Sequence, residues 1–395
     1  MKQKPDKLNA NKKLIVVSER FYPDSNAISI RMKYVVDSIN AHKQFSTQII
    51  TATKVPRELN YNCVRTISAG SLRTNGVMLR LIRELIFGFE VGFRLLFKSY
   101  DALLLTSPPF FSGFIITLFT RLKRRPYFLD IRDYYPEVIF DLGYVKRDNL
   151  AGKILLSIER SWYRHCLKIF TVNRVIQLSI QNKINAKIEK IFLMRNGFDE
   201  KMFQSSVPKY PDFTVVFHAN LAKLHNIDLV LDIISNCEKR EPKIKFCIIG
   251  DGPEAYKIKE ARLSNLNYIG PVAYEKIPGL IRKAHIGLSV LIDSNLTKGI
   301  VPVKVFEYIG VGIPVISAPG AEPDNILSEY TMGLSYSVLD IDGIVSGILK
   351  LRKNSKLYKQ ITGNIEKHRL LFSRQKIAKE YVNHIVLSLS ENHSV

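Results

Sequence analysis

The sequence predicts an α/β protein of two domains, each built on a parallel sheet. Three observations predict it. Short apolar runs rich in β-branched residues alternate with longer amphipathic ones, the pattern of βαβ units. The rhythm breaks off near residue 195 and restarts at residue 213. Between them MRNGFDEKMFQSSVPKYPDF is polar, carries prolines and an Asn-Gly turn, and reads as a linker over 195–212.

In the first half the strand-like runs are LIVVS at 14–18, STQIITAT, ALLLT, YFLDI and KIFTVN, with an amphipathic helix from Ile28 to Ala41. In the second they are FTVVFHAN at 213–220, KFCIIGDG at 245–252, HIGLSVL at 285–291 and IPVIS at 313–317. The last segment, Ser373 to Ser390, has a helical pattern. The domains are therefore expected at 1–197 and 198–372, with the 373–390 helix packing back on the first.

A chain of 395 residues, 46% hydrophobic and 24% charged, has the mixture of a soluble globular protein with room for two cores. Its extreme feature is charge. Lys and Arg number 58 against 36 Asp and Glu, a net of +22, and residues 1–199 hold 33 of the bases with 16 of the acids. The first half is thus expected to seek an anionic partner. The N-terminal MKQKPDKLNANKK leads into an apolar run too short for a signal peptide. Glu84, Glu90 and Arg94 interrupt one long apolar stretch, and Pro108, Pro109 and Arg121 bound another, so neither reaches the roughly 20 residues of a spanning helix. Cys63, Cys166, Cys237 and Cys247 lie far apart, which suggests neither a zinc site nor a disulfide framework. A cytoplasmic protein fits all of this.

Ligands of open parallel sheets bind beyond the carboxyl ends of the strands, so the loops after strands are the informative ones. The first, ERFYPDSNAISIRM, is a tight Pro-Asp turn before a helix and reads equally as a capped turn. RDYYPEVIFDLG sets Arg132, Asp133 and Glu137 among aromatics at a strand end; a site and a structural Arg–Asp pair are both open. HANLAKLHN places Asn220, Lys223 and His225 where a lysine and backbone amides could hold a diphosphate. Gly250 and Gly252 in IIGDGPE permit close backbone approach, although no complete GxGxxG is present. The strongest signal is KGIVPVKVFEYIGVGIPVIS at 298–317. Lys298 and Lys304 straddle a proline before a short helix that carries Glu307, a cradle for phosphate beside ribose hydroxyls. Asp340 and Asp342 read as a helix N-cap and its neighbour rather than a metal motif.

Residues 77–98 put Leu, Ile and Phe on a broad face with Arg80, Arg83, Arg94 and Lys98 around it, and TRLKRRP adds a basic knot. This suits a helix lying on an anionic bilayer and equally a core helix with a solvated rim. A nucleic-acid-binding protein is the other reading of +22, but no recognition motif appears.

The ordered segments FYPDSNAISIRM, TSPPFF, LDIRDYYPE, RNGFDEKMF, HANLAKLHNIDLVL, GDGPE, YIGPV and PVKVFEYIGVGIPVI resemble family 4 glycosyltransferases, especially bacterial ones that build surface polysaccharides such as O-antigen or capsule. The resemblance implies a GT-B fold, with two Rossmann-like domains facing a central cleft. It further implies retention of anomeric configuration, a nucleotide-diphosphate sugar donor (UDP favoured over GDP) with a hexosyl or N-acetylhexosaminyl group, and no metal or cofactor. By matching position, Glu307 would hold the ribose; Lys304, Lys298, Asn220 and Lys223, with Gly250 and Gly252, the diphosphate; and Pro271 and Val272 the base. Asp24, Asn26 and Arg31 would lie on the acceptor side, with Arg132 and Asp133 near the sugar; Lys304, Asp133 and Arg132 would be the catalytic groups. This chain departs from the pattern at Gly299, where the family often has a glutamate, at Arg132, where many members have histidine, at Asn26-Ala27, usually a double glycine, and at Asn220 and His225, commonly Arg and Lys. The expected acceptor is a polyprenyl-diphosphate-linked glycan reached from the inner face of the membrane. A nucleotide-sugar 2-epimerase of the same fold is the alternative.

Overall fold

The computed structural model describes residues 12–24, 26–42, 44–66, 77–107, 109–185, 188–204, 207–294, 297, 300–318 and 326–391. It divides into two compact units, one of Met1–Arg195 with Ala378–Val395, the other of Asn196–Ile377.

The first unit is a seven-stranded sheet in the order β3-β2-β1-β4-β5-β6-β7. Its strands are β1 Lys12–Val17, β2 Phe45–Thr51, β3 Cys63–Arg65, β4 Ala102–Ser107, β5 Tyr127–Ile131, β6 Lys168–Thr171 and β7 Ile191–Leu193. Every pairing is parallel. The interior strands read as unbroken apolar runs because both sheet faces are covered; all six residues of β4 are buried.

Helices α1 (Ala27–Asn40), α2 (Val77–Phe97) and α3 (Phe110–Leu122) pack on this sheet. Contact between α2 and α3 is close at Gly92, where a Cβ would lie 2.3 Å from the Phe119 ring. The helix Arg374–Glu391 carries the chain back to this unit: Tyr381 stacks on Phe170 with centroids 3.8 Å apart, and Ile385 and Leu389 are buried.

The second unit is a six-stranded parallel sheet in the order β10-β9-β8-β11-β12-β13. Its strands are β8 Thr214–His218, β9 Lys245–Ile249, β10 Leu266–Gly270, β11 Ile286–Val290, β12 Val315–Ala318 and β13 Gly333–Ser335. Phe198, near the start of this unit, donates its backbone N–H to Phe372 O at 3.1 Å and accepts from Arg374 N at 2.9 Å. Phe198 and Tyr210, within the stretch expected to link the domains, are thus hydrogen-bonded to other residues of the second unit, Tyr210 N donating to Lys283 O at 2.8 Å.

In both sheets the strand order reverses once, at β1/β4 and at β8/β11. Such reversal points leave a crevice at the carboxyl ends of the strands where ligands bind. The strands β3, β7, β10 and β13 are the four sheet edges.

Candidate active site

In the second unit the helix Val303–Gly310 starts after Pro302 and carries Lys304 and Glu307 one turn apart. Both are buried, at 5% and 2% exposure, although charged residues seldom are unless paired. Lys304 Nζ lies 4.3 Å above the Phe217 ring and 3.3 Å from His225 Nδ1. Burial lowers the Lys304 ammonium to about 7, against the pull of Glu307. Burial, reinforced by Lys304, likewise drives His225 down to about 3, so this imidazole is neutral and can accept from the ammonium.

Glu307 is better satisfied. Tyr274 donates to its Oε1 at 2.7 Å, His218 Nε2 lies 3.1 Å from Oε2, and Arg374 donates to the Tyr274 hydroxyl at 3.2 Å. Burial pushes the carboxyl up, but His218, Arg374 and Tyr274 together outweigh it and hold the group below the usual carboxylate range. The result is a charged carboxylate in a fixed orientation beside a lysine that burial keeps near its titration point.

Three loops frame this pair at the carboxyl ends of β8, β9 and β10. After β8, Asn220 is exposed, and Lys223 begins a single 3₁₀ turn, Lys223–His225, that keeps its side chain exposed. Asn226 then caps the helix Ile227–Arg240, accepting from Leu229 N at 3.4 Å. The β9 loop lies against the first: Leu221 N donates to Asp251 O at 2.8 Å. Gly250, with φ +129°, fits there because a Cβ would sit 1.9 Å from Ala219 O. After β10, exposed Pro271 and half-buried Val272 lead to Tyr274. Asn220, Lys223, Gly250, Gly252, Pro271, Val272, Lys304 and Glu307 thus all lie on loops or helix starts at one end of one sheet. Lys298 lies outside the described residues.

The first unit gives its expected residues more varied work. Asn26 and Arg31, expected on the acceptor side, are occupied by the fold. Asn26 is the α1 N-cap, accepting from Ser29 N at 3.0 Å. Arg31 is buried and grips Asp130 with Nε at 3.2 Å and Nη2 at 3.0 Å, while its Nη1 donates to Arg195 O at 3.0 Å. A helix start needs a cap, and a buried carboxylate at a strand end needs a cation. Asp24 is half-buried, accepting from the Thr53 hydroxyl at 2.9 Å with Arg20 3.8 Å away.

Arg132 and Asp133 follow β5. Asp133 is exposed as a residue, yet desolvation by the surrounding protein, opposed by Arg132 and Arg80, holds its carboxyl above the usual range. Glu19, at the end of β1, had drawn no attention in the sequence. Burial, aided by Glu84, raises it to about 7. His218, Tyr274 and Arg374 were equally silent: Arg374 is far from Glu307 in sequence, and a tyrosine three residues beyond Pro271 carries no signal.

Among the described residues no helix is long and apolar enough to cross a membrane. The α2 helix nevertheless presents Met78, Ile82, Ile86, Phe89, Phe93 and Phe97 as an exposed stripe, while Phe87, Val91 and Leu95 face the core. It is a core helix and an apolar surface at once.

Residues 198–368 match the family described as glycosyl transferases group 1. The chain is 24% identical over 220 residues to the probable glycosyltransferase WbjE of Pseudomonas aeruginosa, an alignment covering 51% of this chain and 54% of WbjE. It is 22% identical over 232 residues to TuaH of Bacillus subtilis (strain 168), named as a candidate glycosyltransferase of teichuronic acid biosynthesis, covering 55% of this chain and 58% of TuaH. The chain thus spans about half the length of the curated relatives it matches. Among solved structures, Anabaena HepE in complex with UDP superposes with a TM-score of 0.69 at 12% identity, covering 95% of this chain and 99% of HepE. At that identity the likeness bears on fold, which is of the GT-B type: two parallel-sheet Rossmann-like units.

Proposed function

We propose that the chain, whose residues 198–368 match the glycosyl transferases group 1 family, is a retaining glycosyltransferase that moves a sugar from a nucleotide-diphosphate donor to a lipid-linked glycan acceptor in surface-polysaccharide assembly. The observation that carries the reading is the Lys304–Glu307 pair. Among the described residues the buried ammonium at this helix start meets an aromatic face and a neutral imidazole and feels Glu307 only through space, so an arriving anion completes its surroundings. A diphosphate supplies two such charges. Glu307, charged and held by Tyr274, takes the vicinal ribose hydroxyls, and the backbone at Pro271 and Val272 meets the base.

The chemistry follows from charge. As the bond from the anomeric carbon to the diphosphate oxygen breaks, negative charge gathers on the leaving group and positive charge on the sugar ring. Lys304, fixed before the reaction starts, is stabilised more by the departing diphosphate than by the intact donor, and that difference lowers the barrier. Asn220 and Lys223 add donors from the β8 loop. UDP is favoured as the nucleotide, in keeping with the UDP complex of HepE.

The acceptor side is assigned to the first unit, with Asp24, Arg132 and Asp133 at the carboxyl ends of β1 and β5. The exposed α2 stripe, with Arg80 and Lys98 beside it, lies on the anionic inner face of the cell membrane, where a polyprenyl-diphosphate acceptor is found.

A thermal-shift series with UDP-, GDP- and ADP-sugars tests the donor, because a ligand that binds only the folded state raises its apparent stability. One of the three must shift the transition. No shift with any of them removes the donor site, and sugar conversion without an acceptor would make the chain an isomerase instead.

A further inference from the structure

At the carboxyl end of β5 the charges do not balance. Asp130 is fully buried and fully engaged: Arg31 holds both carboxylate oxygens, and the Thr106 hydroxyl reaches Oδ2 at 3.4 Å. Arg132 sits two residues on with its backbone N–H donating to Ser107 O at 3.3 Å. Its side chain has no share in the Arg31–Asp130 pair. Nε and Nη1 are buried and have no hydrogen-bond partner among the described residues. Asp130 and Asp133 act on the guanidinium only through space, and Arg31 opposes them. The position therefore holds two guanidinium groups for one buried carboxylate, with Asp133 at the rim.

A guanidinium does not escape such a position by losing its proton, as a lysine would. Burial does lower Arg132, to about 10, but that leaves it charged at any physiological pH. Native structures seldom leave buried donors unmatched, and an unmatched one calls for a missing partner. The side chain keeps some exposure as a whole, so a rotamer change presents its fork to a ligand.

We infer that Arg132 is an anion subsite of the first unit, where its unmatched donors receive the oxygens of a carboxylate or phosphate carried by the sugar substrate. This rests on the sugar-transfer reading and sharpens it: the substrate handled by the first unit bears an acidic group. The two sources share one chemistry, an oxyanion recognised by a planar fork. A uronic-type sugar supplies it as a carboxylate, and a lipid-linked acceptor as a phosphate.

The test is a melting series of the full chain in sodium glucuronate, sodium phosphate and glucose, each matched in ionic strength with sodium chloride. It is run on the wild type, Arg132→Gln, Arg132→Lys and Lys304→Ala. The wild type should melt several degrees higher in glucuronate or phosphate than in chloride or glucose, and the effective anion names the source. Lys304→Ala should keep this response. Arg132→Gln should lose it while melting no lower than wild type in chloride, since it removes an unmatched buried charge. Arg132→Lys, which keeps the charge and loses the fork, should retain only part of it. The inference is overturned if Arg132→Gln responds like wild type, if neither anion shifts the wild type, or if the response disappears in Lys304→Ala. A UDP shift that persists when the anion shift is absent leaves sugar transfer standing and removes the subsite alone.

Discussion

Lys304 offers its ammonium to a histidine that cannot share the charge: His225 Nδ1 lies 3.3 Å away, and burial together with that same lysine keeps the imidazole neutral. This pairing steadies the lysine without neutralising it, which on the proposed reading leaves the ammonium for an outside anion.

A pH dependence follows. The ligand-free ammonium titrates at about 7 because burial disfavours its charged form. A bound diphosphate favours that form and raises the value. Above pH 7 binding must therefore take up a proton, and UDP affinity should fall by up to about tenfold per pH unit between pH 7 and 9. Calorimetry in buffers of different ionisation enthalpy reads that proton directly; affinity that is flat over this range excludes Lys304 as the phosphate ligand.

Folding stability should move the other way. Unfolded, Lys304 titrates near 10.5; folded, near 7. Between those values the unfolded chain binds a proton that the folded chain lacks, so this residue adds stability as pH rises from 7 toward 10.5. Lys304→Met should erase that component of the slope and melt no lower than wild type at pH 7, while transfer slows by about 10²–10³-fold. Equal turnover in the variant contradicts the assigned role.

Glu307→Gln separates ribose from phosphate. The amide keeps the shape and an acceptor for Tyr274 but loses the charge that orders the site. UDP should bind more weakly by about 1.5–3 kcal/mol, whereas inorganic pyrophosphate should be affected much less. Equal losses for both ligands would place Glu307 on the phosphates.

Arg31 is a fold residue. Truncation to Ala leaves the Asp130 carboxylate buried with its main partner gone, which should cost about 3–5 kcal/mol in urea unfolding. A loss below about 1 kcal/mol, the range of an exposed pair, would return Arg31 to the acceptor side.

The α2 stripe is tested by Phe97→Asp and Ile86→Asp, both at exposed positions, 88% and 51%. Each should leave the melting temperature nearly unchanged and reduce sedimentation with phosphatidylglycerol-containing vesicles at physiological salt. Undiminished sedimentation would mean that the stripe does not meet the bilayer.

Much of this was legible in the sequence, for a physical reason. Interior parallel strands are buried on both faces, so β1, β4, β5, β8, β9 and β11 announce themselves as apolar runs. Edge strands such as β3 and β13, three residues long and half exposed, do not. The Lys304–Glu307 spacing was readable because a helix turns every 3.6 residues, and a proline marks where this one starts. The partners that fix Glu307, namely His218, Tyr274 and Arg374, come from other loops, and nothing local in the sequence records which loops meet. Asn26 and Arg31 show the converse: polar residues in a promising loop are also what a helix cap and a buried ion pair require.

The central claim is that the second unit grips a nucleoside diphosphate through Lys304. Its most direct test is calorimetric titration of UDP into the wild type and Lys304→Ala at pH 6.5. The account predicts binding to the wild type and about ten- to a hundredfold weaker binding to the variant, the loss of a charge-assisted contact to a diphosphate. Equal affinity for the two proteins would contradict it.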